Sequence, residues 1–338
     1  MSTGASDSRN GLNGLSGNRT HQLYHPIQRL FSMVGVVVLN FNPTGWDCMK
    51  PVPFDYQRPA TLDEACQLLA EDSNARILAG GQSLVPMLSM RLSRPSLLVD
   101  IAHIPELVKT DDTGTHIEIG AMVRQADALL SPMVRQHIPL LAKALTHVGH
   151  PPTRARGTIG GSLAHADPSG EIALTAVTLG ADIIYRDAGD EIPFAATDFF
   201  IGPMLTLAPP SGCLVRVAFP KAPGHCGTGF HEVAPRRSDY ALASAAAQID
   251  ADADGTVTAI HLGVGSVGDF PERLDVDVLL GTALDDVSIT DAVAAAIEAI
   301  ETVEDLHASA AYRKRVAAAL AVRALSDARD ELAKGISQ

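Results

Sequence analysis

The chain has 338 residues, more than one compact core of ordinary size holds, so two or three domains are expected. Hydrophobic residues make up 46 % and charged residues 19 %, the mix of a soluble globular protein, and the net charge of −13 sets the surface against nucleic acid and anionic membranes as partners. The four cysteines (Cys48, Cys66, Cys213 and Cys226) form no C-x-x-C pair and no ligand cluster. Zinc, an iron–sulfur centre and a disulfide framework are therefore not expected on this chain, and a reducing cytoplasm is the simplest compartment.

Residues 1–48 are Ser-, Gly- and Asn-rich at the start and read as a disordered extension, which an upstream start codon chosen in error would explain. Their longest apolar stretch, Met33 to Leu39, is far too short to span a membrane, and no charged start leads into it as in a signal peptide. Globular sequence begins at Met49. Thr61 and Glu64 have the spacing of a capping box, and Ala65, Leu68 and Leu69 supply an apolar helical face. A short strand is expected over Ile77 to Ala79, a short helix over Ser83 to Met90 and a second strand over Leu97 to Ile101. Residues 49–110 thus read as a small β-α-β-type subdomain.

A second subdomain is expected over 111–224, completing one domain over 49–224. It opens with a strand over His116 to Gly120. Helical stretches follow from Ala121 to Ala144, broken near Pro132 and Pro139. Gly149 to Gly170, with three prolines and five glycines, reads as loop. Glu171 to Leu179 reads as helix, with strands over Ala181 to Tyr185 and Leu214 to Phe219. Residues 222–229 read as a linker. The last domain, 230–338, is expected to be α+β: strands over Ala241 to Ile249 and Thr256 to Val264 turn at Asp254-Gly255, and helices follow over Asp291 to Ile300 and Ala310 to Lys334.

Two glycine-rich segments carry the chemistry. Ala79, Gly80, Gly81, Gln82, Ser83 and Leu84 follow directly on a strand; Thr158, Ile159, Gly160, Gly161 and Ser162 form the second. Adjacent glycines beside a hydroxyl residue let backbone amides approach an anion without Cβ obstruction. Each pair alone is equally consistent with a tight turn. One in each of two consecutive α/β units suggests a diphosphate held between them. No G-x-x-x-x-G-K-[ST] loop occurs. The G-x-G-x-x-G at Gly263, Gly265 and Gly268 leads into Asp269-Phe270-Pro271 rather than a helix, so it reads as a strand ending in a turn.

Other polar residues carry less. His165 and Asp167 read as loop-shaping, Asp167 as a turn former before Pro168. His147 and His150 lack a third ligand and read as capping or packing residues; no metal site is expected. Arg236-Arg237 reads as solvated surface. No catalytic acid or base is assigned.

The stretches LAGGQSLVPMLSMRLSRPSLLVDI (Leu78 to Ile101) and RARGTIGGSLAHADPSGE (Arg154 to Glu171) resemble the two flavin loops of the FAD-binding subunits of molybdenum hydroxylases. That family includes the medium subunit of aerobic carbon monoxide dehydrogenase and the flavin domain of xanthine dehydrogenase. MKPVPFDYQRPATLDEACQLL (Met49 to Leu69) resembles its usual start, and FHEVAPRRSDYALASAAAQI (Phe230 to Ile249) the opening of its C-terminal domain. The resemblance runs in order over about residues 49–335. It implies an α+β protein: a two-subdomain FAD-binding domain of the PCMH type, then a C-terminal sheet with helices.

The resemblance also implies roles. Ala79 to Leu84 and Thr158 to Ser162 would wrap non-covalent FAD, mainly through backbone amides. Glu171 matches an acidic position that binds FAD polar groups, which is the preferred reading; the alternative is an acid favoured at a helix start. Glu232 stands where some members carry a lysine near the flavin, and a carboxylate there would not favour the anionic reduced flavin. The implied partners are a large molybdenum-cofactor subunit and a small subunit with two [2Fe–2S] clusters. Electrons would pass from those clusters to FAD and on to an external acceptor. The alternatives are a stand-alone flavin oxidase or dehydrogenase, and a scaffold that keeps the fold without using the flavin.

Overall fold

In the computed structural model the described residues are 50–336, and the extension expected over 1–48 lies outside them. The chain opens with β1 (Asp55–Gln57), α1 (Leu62–Glu71), β2 (Arg76–Leu78), α2 (Leu84–Ser89) and β3 (Leu97–Asp100). The strands form a parallel sheet in the order β1-β3-β2. The N-terminus of α1 is capped as its spacing predicts: the Thr61 hydroxyl accepts the Glu64 amide at 3.2 Å. Glu64 reaches back one residue further than expected, to the Ala60 amide at 2.8 Å. The buried face is Leu62, Ala65, Cys66 and Leu69, an i, i+3, i+4, i+7 stripe against the sheet.

The second subdomain contains β4 (Thr110–Asp112), β5 (His116–Gly120), α3 (Gln125–Leu130), α4 (Pro132–His137), α5 (Pro139–Leu145), α6 (Pro151–Arg156), α7 (Ile159–His165) and α8 (Glu171–Leu179). Then come β6 (Asp182–Asp187), β7 (Asp190–Ala195), α9 (Ala196–Phe199), the ribbon β8 (Phe200–Gly202) and β9 (Leu205–Thr206), and β10 (Cys213–Pro220). Five strands make an antiparallel sheet in the order β4-β5-β10-β6-β7. Helices α4, α5 and α6 each open on a proline, where the missing N–H is one of the helix's free donors anyway. The segment expected to be loop between Gly149 and Gly170 is instead mostly α6 and α7. Two local devices outweigh its glycines: the fixed φ of Pro151, and Thr158, whose hydroxyl accepts the Gly161 amide at 3.0 Å.

The last part is an antiparallel sheet of β11 (His225–Val233), β12 (Ala243–Ala251), β13 (Val257–Gly265) and β14 (Glu272–Leu274), followed by α10 (Asp286–Glu298) and α11 (Ala310–Ile336). The hairpin between β12 and β13 turns where expected, with Gly255 at φ +83°. Helix α10 starts earlier than its apolar pattern predicts, because Asp285 caps it by accepting the Val287 and Ser288 amides, both at 3.0 Å.

The linker expected over 222–229 is strand from His225 on. Its glycines are packing devices: a Cβ on Gly227 would lie 1.9 Å from the Ala328 carbonyl oxygen, and one on Gly229 2.1 Å from that of Ala324. Spaced two apart, they present one flat face on which the backbone of α11 rests. The opposite face of this sheet meets α5 and α8. There Gly263 lies against Thr178, a Cβ falling 2.2 Å from its hydroxyl oxygen. Part of the G-x-G-x-x-G thus serves helix packing at the end of a strand, as its missing helix suggested. Lys143 ties α5 to this layer, its ammonium donating to the Thr228 carbonyl and to Glu331 on α11, both at 2.6 Å.

Replacing Gly229 with alanine is expected to force α11 away from β11 and cost about 2–3 kcal/mol. Thermal unfolding of the full chain checks this; an unchanged melting temperature would mean the sheet and helix yield without cost.

Candidate functional site

Strand β2 ends at Leu78, and the chain then runs through Ala79, Gly80 and Gly81 into α2. Gly80 is buried against the second subdomain: a Cβ there would sit 2.3 Å from the Arg156 carbonyl oxygen and 3.0 Å from the Gly157 Cα. Gly81 has φ +72°, a conformation that costs an L-residue about 1–2 kcal/mol. Among the described residues the amides of Gly80, Gly81, Gln82, Ser83 and Leu84 meet no acceptor. The Ser83 side chain makes no capping bond either. Unpaired amides are tolerated where water or a ligand satisfies them.

The second glycine segment is built differently. Ile159 donates its amide to the Val123 carbonyl at 3.0 Å and Gly160 to that of Ala121 at 2.9 Å. The Gly161 amide goes to the Thr158 hydroxyl at 3.0 Å, and that of Ser162 to the Thr158 carbonyl at 3.2 Å. These four amides are committed inside the protein, which corrects the expectation that both segments offer amides to a diphosphate. Gly160 is buried against Ala121, where a Cβ would fall 2.5 Å from the alanine Cβ. Residues 121–125 and 157–160 are thereby zipped together. Gln125 donates its amide to the Gly157 carbonyl at 3.0 Å, and the Arg124 guanidinium bonds the Arg156 carbonyl.

Between the two segments lies a cleft of about 650 Å³. Ala79, Gly80, Gly81, Gln82, Ser83 and Leu84 line it on one side; Thr158, Gly160, Gly161, Ser162 and Glu171 line it on the other. Two expected residues are not on its wall. Ile159 is fully buried in the core, because its side chain points inward at the first turn of α7. Glu232, on β11, lies outside the lining and is held by His147, whose Nδ1 is 3.2 Å from its carboxylate.

The cleft has further walls that the sequence did not announce. Gln125, Tyr185 and Leu214 contribute from the second subdomain, and Ser238, Asp239 and Tyr240 from the connection between β11 and β12. Ser238 at φ +62° bends that connection, and no sequence signal marks it. His165 and Asp167 line the cleft without bonding each other; Asp167 instead accepts the Ser169 amide and hydroxyl, both at 2.9 Å, as a turn former does. His147 also packs on Phe230, ring centres 4.9 Å apart, and no metal-ligand group occurs among the described residues. Arg236 is an exposed surface residue paired with Asp239 at 2.9 Å.

Glu171 stands at the first turn of α8, where its own amide favours the carboxylate, yet burial outweighs this and pushes its carboxyl up to about 7. The nearby charges of Glu232 and Asp167 push the same way, and His147 opposes them. At neutral pH this carboxyl is therefore protonated about half of the time.

The stability sign follows. Below pH about 4.5 Glu171 is protonated both folded and unfolded and contributes nothing. From there to pH about 7 the unfolded chain gives up a proton that the folded chain keeps, so stability is lost as pH rises. Glu171→Gln removes that loss. The flavin-free variant is expected to match the wild type near pH 4.5 and exceed it above pH 7 by about 2–3 kcal/mol, read by denaturant unfolding at both pH values. Equal stability at both would place the carboxyl in water.

Two family descriptions match consecutive parts of the chain: "FAD binding domain in molybdopterin dehydrogenase" over residues 52–222 and "CO dehydrogenase flavoprotein C-terminal domain" over 229–328. The nicotine 6-hydroxylase medium subunit of Paenarthrobacter nicotinovorans is 35 % identical, over 83 % of this chain and 99 % of that one. The carbon monoxide dehydrogenase medium chain of Hydrogenophaga pseudoflava is 32 % identical, over 83 % and 98 %. The solved structure of carbon monoxide dehydrogenase from H. pseudoflava superposes with a TM-score of 0.80 at 32 % identity, over 84 % of this chain and 99 % of that one. Quinoline 2-oxidoreductase from Pseudomonas putida 86 superposes with 0.79 at 36 %, over 85 % and 100 %. With both domains matched in order, and with most of the cleft lining in the first, the chain belongs to the FAD-binding flavoprotein family of the molybdopterin dehydrogenases.

Proposed function

We propose that the cleft holds one FAD non-covalently and that its diphosphate is gripped from one side, by the amides of Gly80, Gly81, Gln82, Ser83 and Leu84. The observation that carries this is the run of five unpaired amides at the cleft wall, beside Gly81 in a backbone conformation that suits glycine. Thr158, Gly160, Gly161 and Ser162 form the opposite wall by shape, with the Thr158 and Ser162 hydroxyls as further donors. Glu171 faces the cofactor's polar groups, and Glu232 acts on them only through Glu171 and His147. The domains divide as 49–224 and 230–338, a reading supported by the two matched regions and by the break between β10 and β11.

The chain is the flavin subunit of a multi-subunit oxidoreductase of the molybdenum hydroxylase type. Its partners are a large molybdenum-cofactor subunit and a small iron–sulfur subunit, and an external acceptor takes the electrons. Flavin held there would supply the electron exchange between the partner's clusters and the acceptor. This chain's residues bind and orient that group and exclude water from it; no side-chain acid or base is needed for electron transfer. The substrate is oxidised on another subunit. We place the chain in the cytoplasm, supported by the free Cys66, Cys213 and Cys226; no helix among the described residues is long and apolar enough to cross a membrane.

The complex purified through its partner subunits is expected to carry flavin absorption bands that pass into the supernatant on acid precipitation. Gly81→Val places a branched side chain at φ +72°, with its Cβ 3.2 Å from Val85, and is expected to lower FAD affinity at least about tenfold while the subunits still assemble. A colourless complex that stays colourless with added FAD would defeat the reading.

A further inference from the structure

Glu171 is a partly buried carboxyl on the cleft wall, and four titratable groups from four different elements surround it. Glu232 approaches from β11, His147 from the end of α5, Asp167 from the turn before α8, and Tyr240 from the connection between β11 and β12. Glu232 and His147 hold each other at 3.2 Å, so the pair behind Glu171 is already satisfied. Asp167 is likewise occupied by Ser169. The Glu171 carboxyl meets only its own amide among the described residues. Of this group Glu171 and Tyr240 line the cleft without a side-chain partner, and burial raises the Tyr240 phenol above its ordinary value so that it stays protonated at neutral pH; the proton of Glu171 is the charge adjustment left to them.

We propose that Glu171 couples proton uptake to filling of the cleft: an anionic flavin entering it drives a proton from solvent onto this carboxyl. This rests on the reading of the cleft as the FAD site. The physical cause is simple. FAD brings a diphosphate and excludes water, and both disfavour a second negative charge on the same wall. In the empty cleft burial and Glu232 already lift the carboxyl to about 7, so near neutral pH the proton is poised to bind. Filling the cleft lifts it further. The group is then a carboxylate part of the time when the cleft is empty and an acid when it is full, and an acid donates a hydrogen bond where a carboxylate only accepts.

The sign is fixed by linkage. Above the empty-cleft value FAD must bring in a proton to bind, so affinity falls as pH rises; below it the proton is already present and affinity is flat. The test titrates FAD into the flavin-depleted complex from about pH 6 to about pH 9, with proton uptake read by calorimetry in buffers of different ionisation enthalpy. For the wild type Kd is expected to rise by up to about tenfold per pH unit above pH 7, with net proton uptake. Glu171→Gln is isosteric and is expected to give a flat profile and lose that uptake. Glu232→Gln removes a like charge and is expected to keep the slope but start it at lower pH.

A Glu171→Gln profile that overlays the wild type, or a wild type that takes up no proton, overturns the proposal and leaves FAD binding intact. Failure of the wild type to bind FAD at every pH overturns the cleft reading, and the proposal with it.

Discussion

The cleft exists because two backbones touch without side chains between them. Gly80 rests on the Arg156 carbonyl, and any Cβ there would prise the first subdomain off the second. Behind that contact, residues 121–125 are zipped to 157–160 through the Gln125, Ile159 and Gly160 amides. The second segment is therefore a rigid wall that spends the amides of Ile159, Gly160, Gly161 and Ser162 on holding its own shape. The first segment, anchored at one glycine, keeps its next amides free. An anion-binding surface needs both properties, a fixed frame and unsatisfied donors, and here they reside on opposite sides of one cleft.

This division revises what a glycine pair means. Gly80-Gly81 and Gly160-Gly161 look alike in sequence, yet the structure uses them differently. Gly80 is buried at the contact between the subdomains and Gly160 inside the second one, Gly81 supplies a left-handed turn, and Gly161 sits over the Thr158 cap. Of the four, Gly81 and Gly161 are partly exposed at the cleft. The missing Cβ thus serves packing at least as much as ligand access, and binding power follows from which amides are left over.

What was legible in the sequence was local. Thr61 three residues before Glu64, prolines at the starts of α4 and α5, and Asp254-Gly255 between two strands all act within one turn of chain, so each could be read directly. The two glycine-rich segments, picked out by their composition, do line one cleft, and the family resemblance named the cofactor of the chain. What escaped was decided at long range. The amides of Ile159 and Gly160 are satisfied by carbonyls of a distant strand end, so their loss as donors has no local sign. Gly227 and Gly229 read as a linker because glycine is the usual mark of one, whereas their reason is a helix about 100 residues further on. The helices α6 and α7 were hidden by the same bias, glycine and proline content outweighing two good helix starts.

The C-terminal domain is more than an appendage to this cleft. Its sheet is buried on both faces, against α11 on one and α5 and α8 on the other, so its strands cannot shift without moving α8. Glu171 is the first residue of α8, Glu232 lies on the sheet's first strand, and Tyr240 lies on the connection to the next. The electrostatic character of the cleft is thus set jointly by two domains that the chain connects through only a few residues after β10. Burial is the main reason that the Glu171 carboxyl holds its proton, and like charges act on it from both domains, Asp167 in the first and Glu232 on the C-terminal sheet. Packing of the glycine-faced sheet onto α8 thus adds to a setting that the first domain begins, which gives a physical reason for the two domains to occur together in one chain.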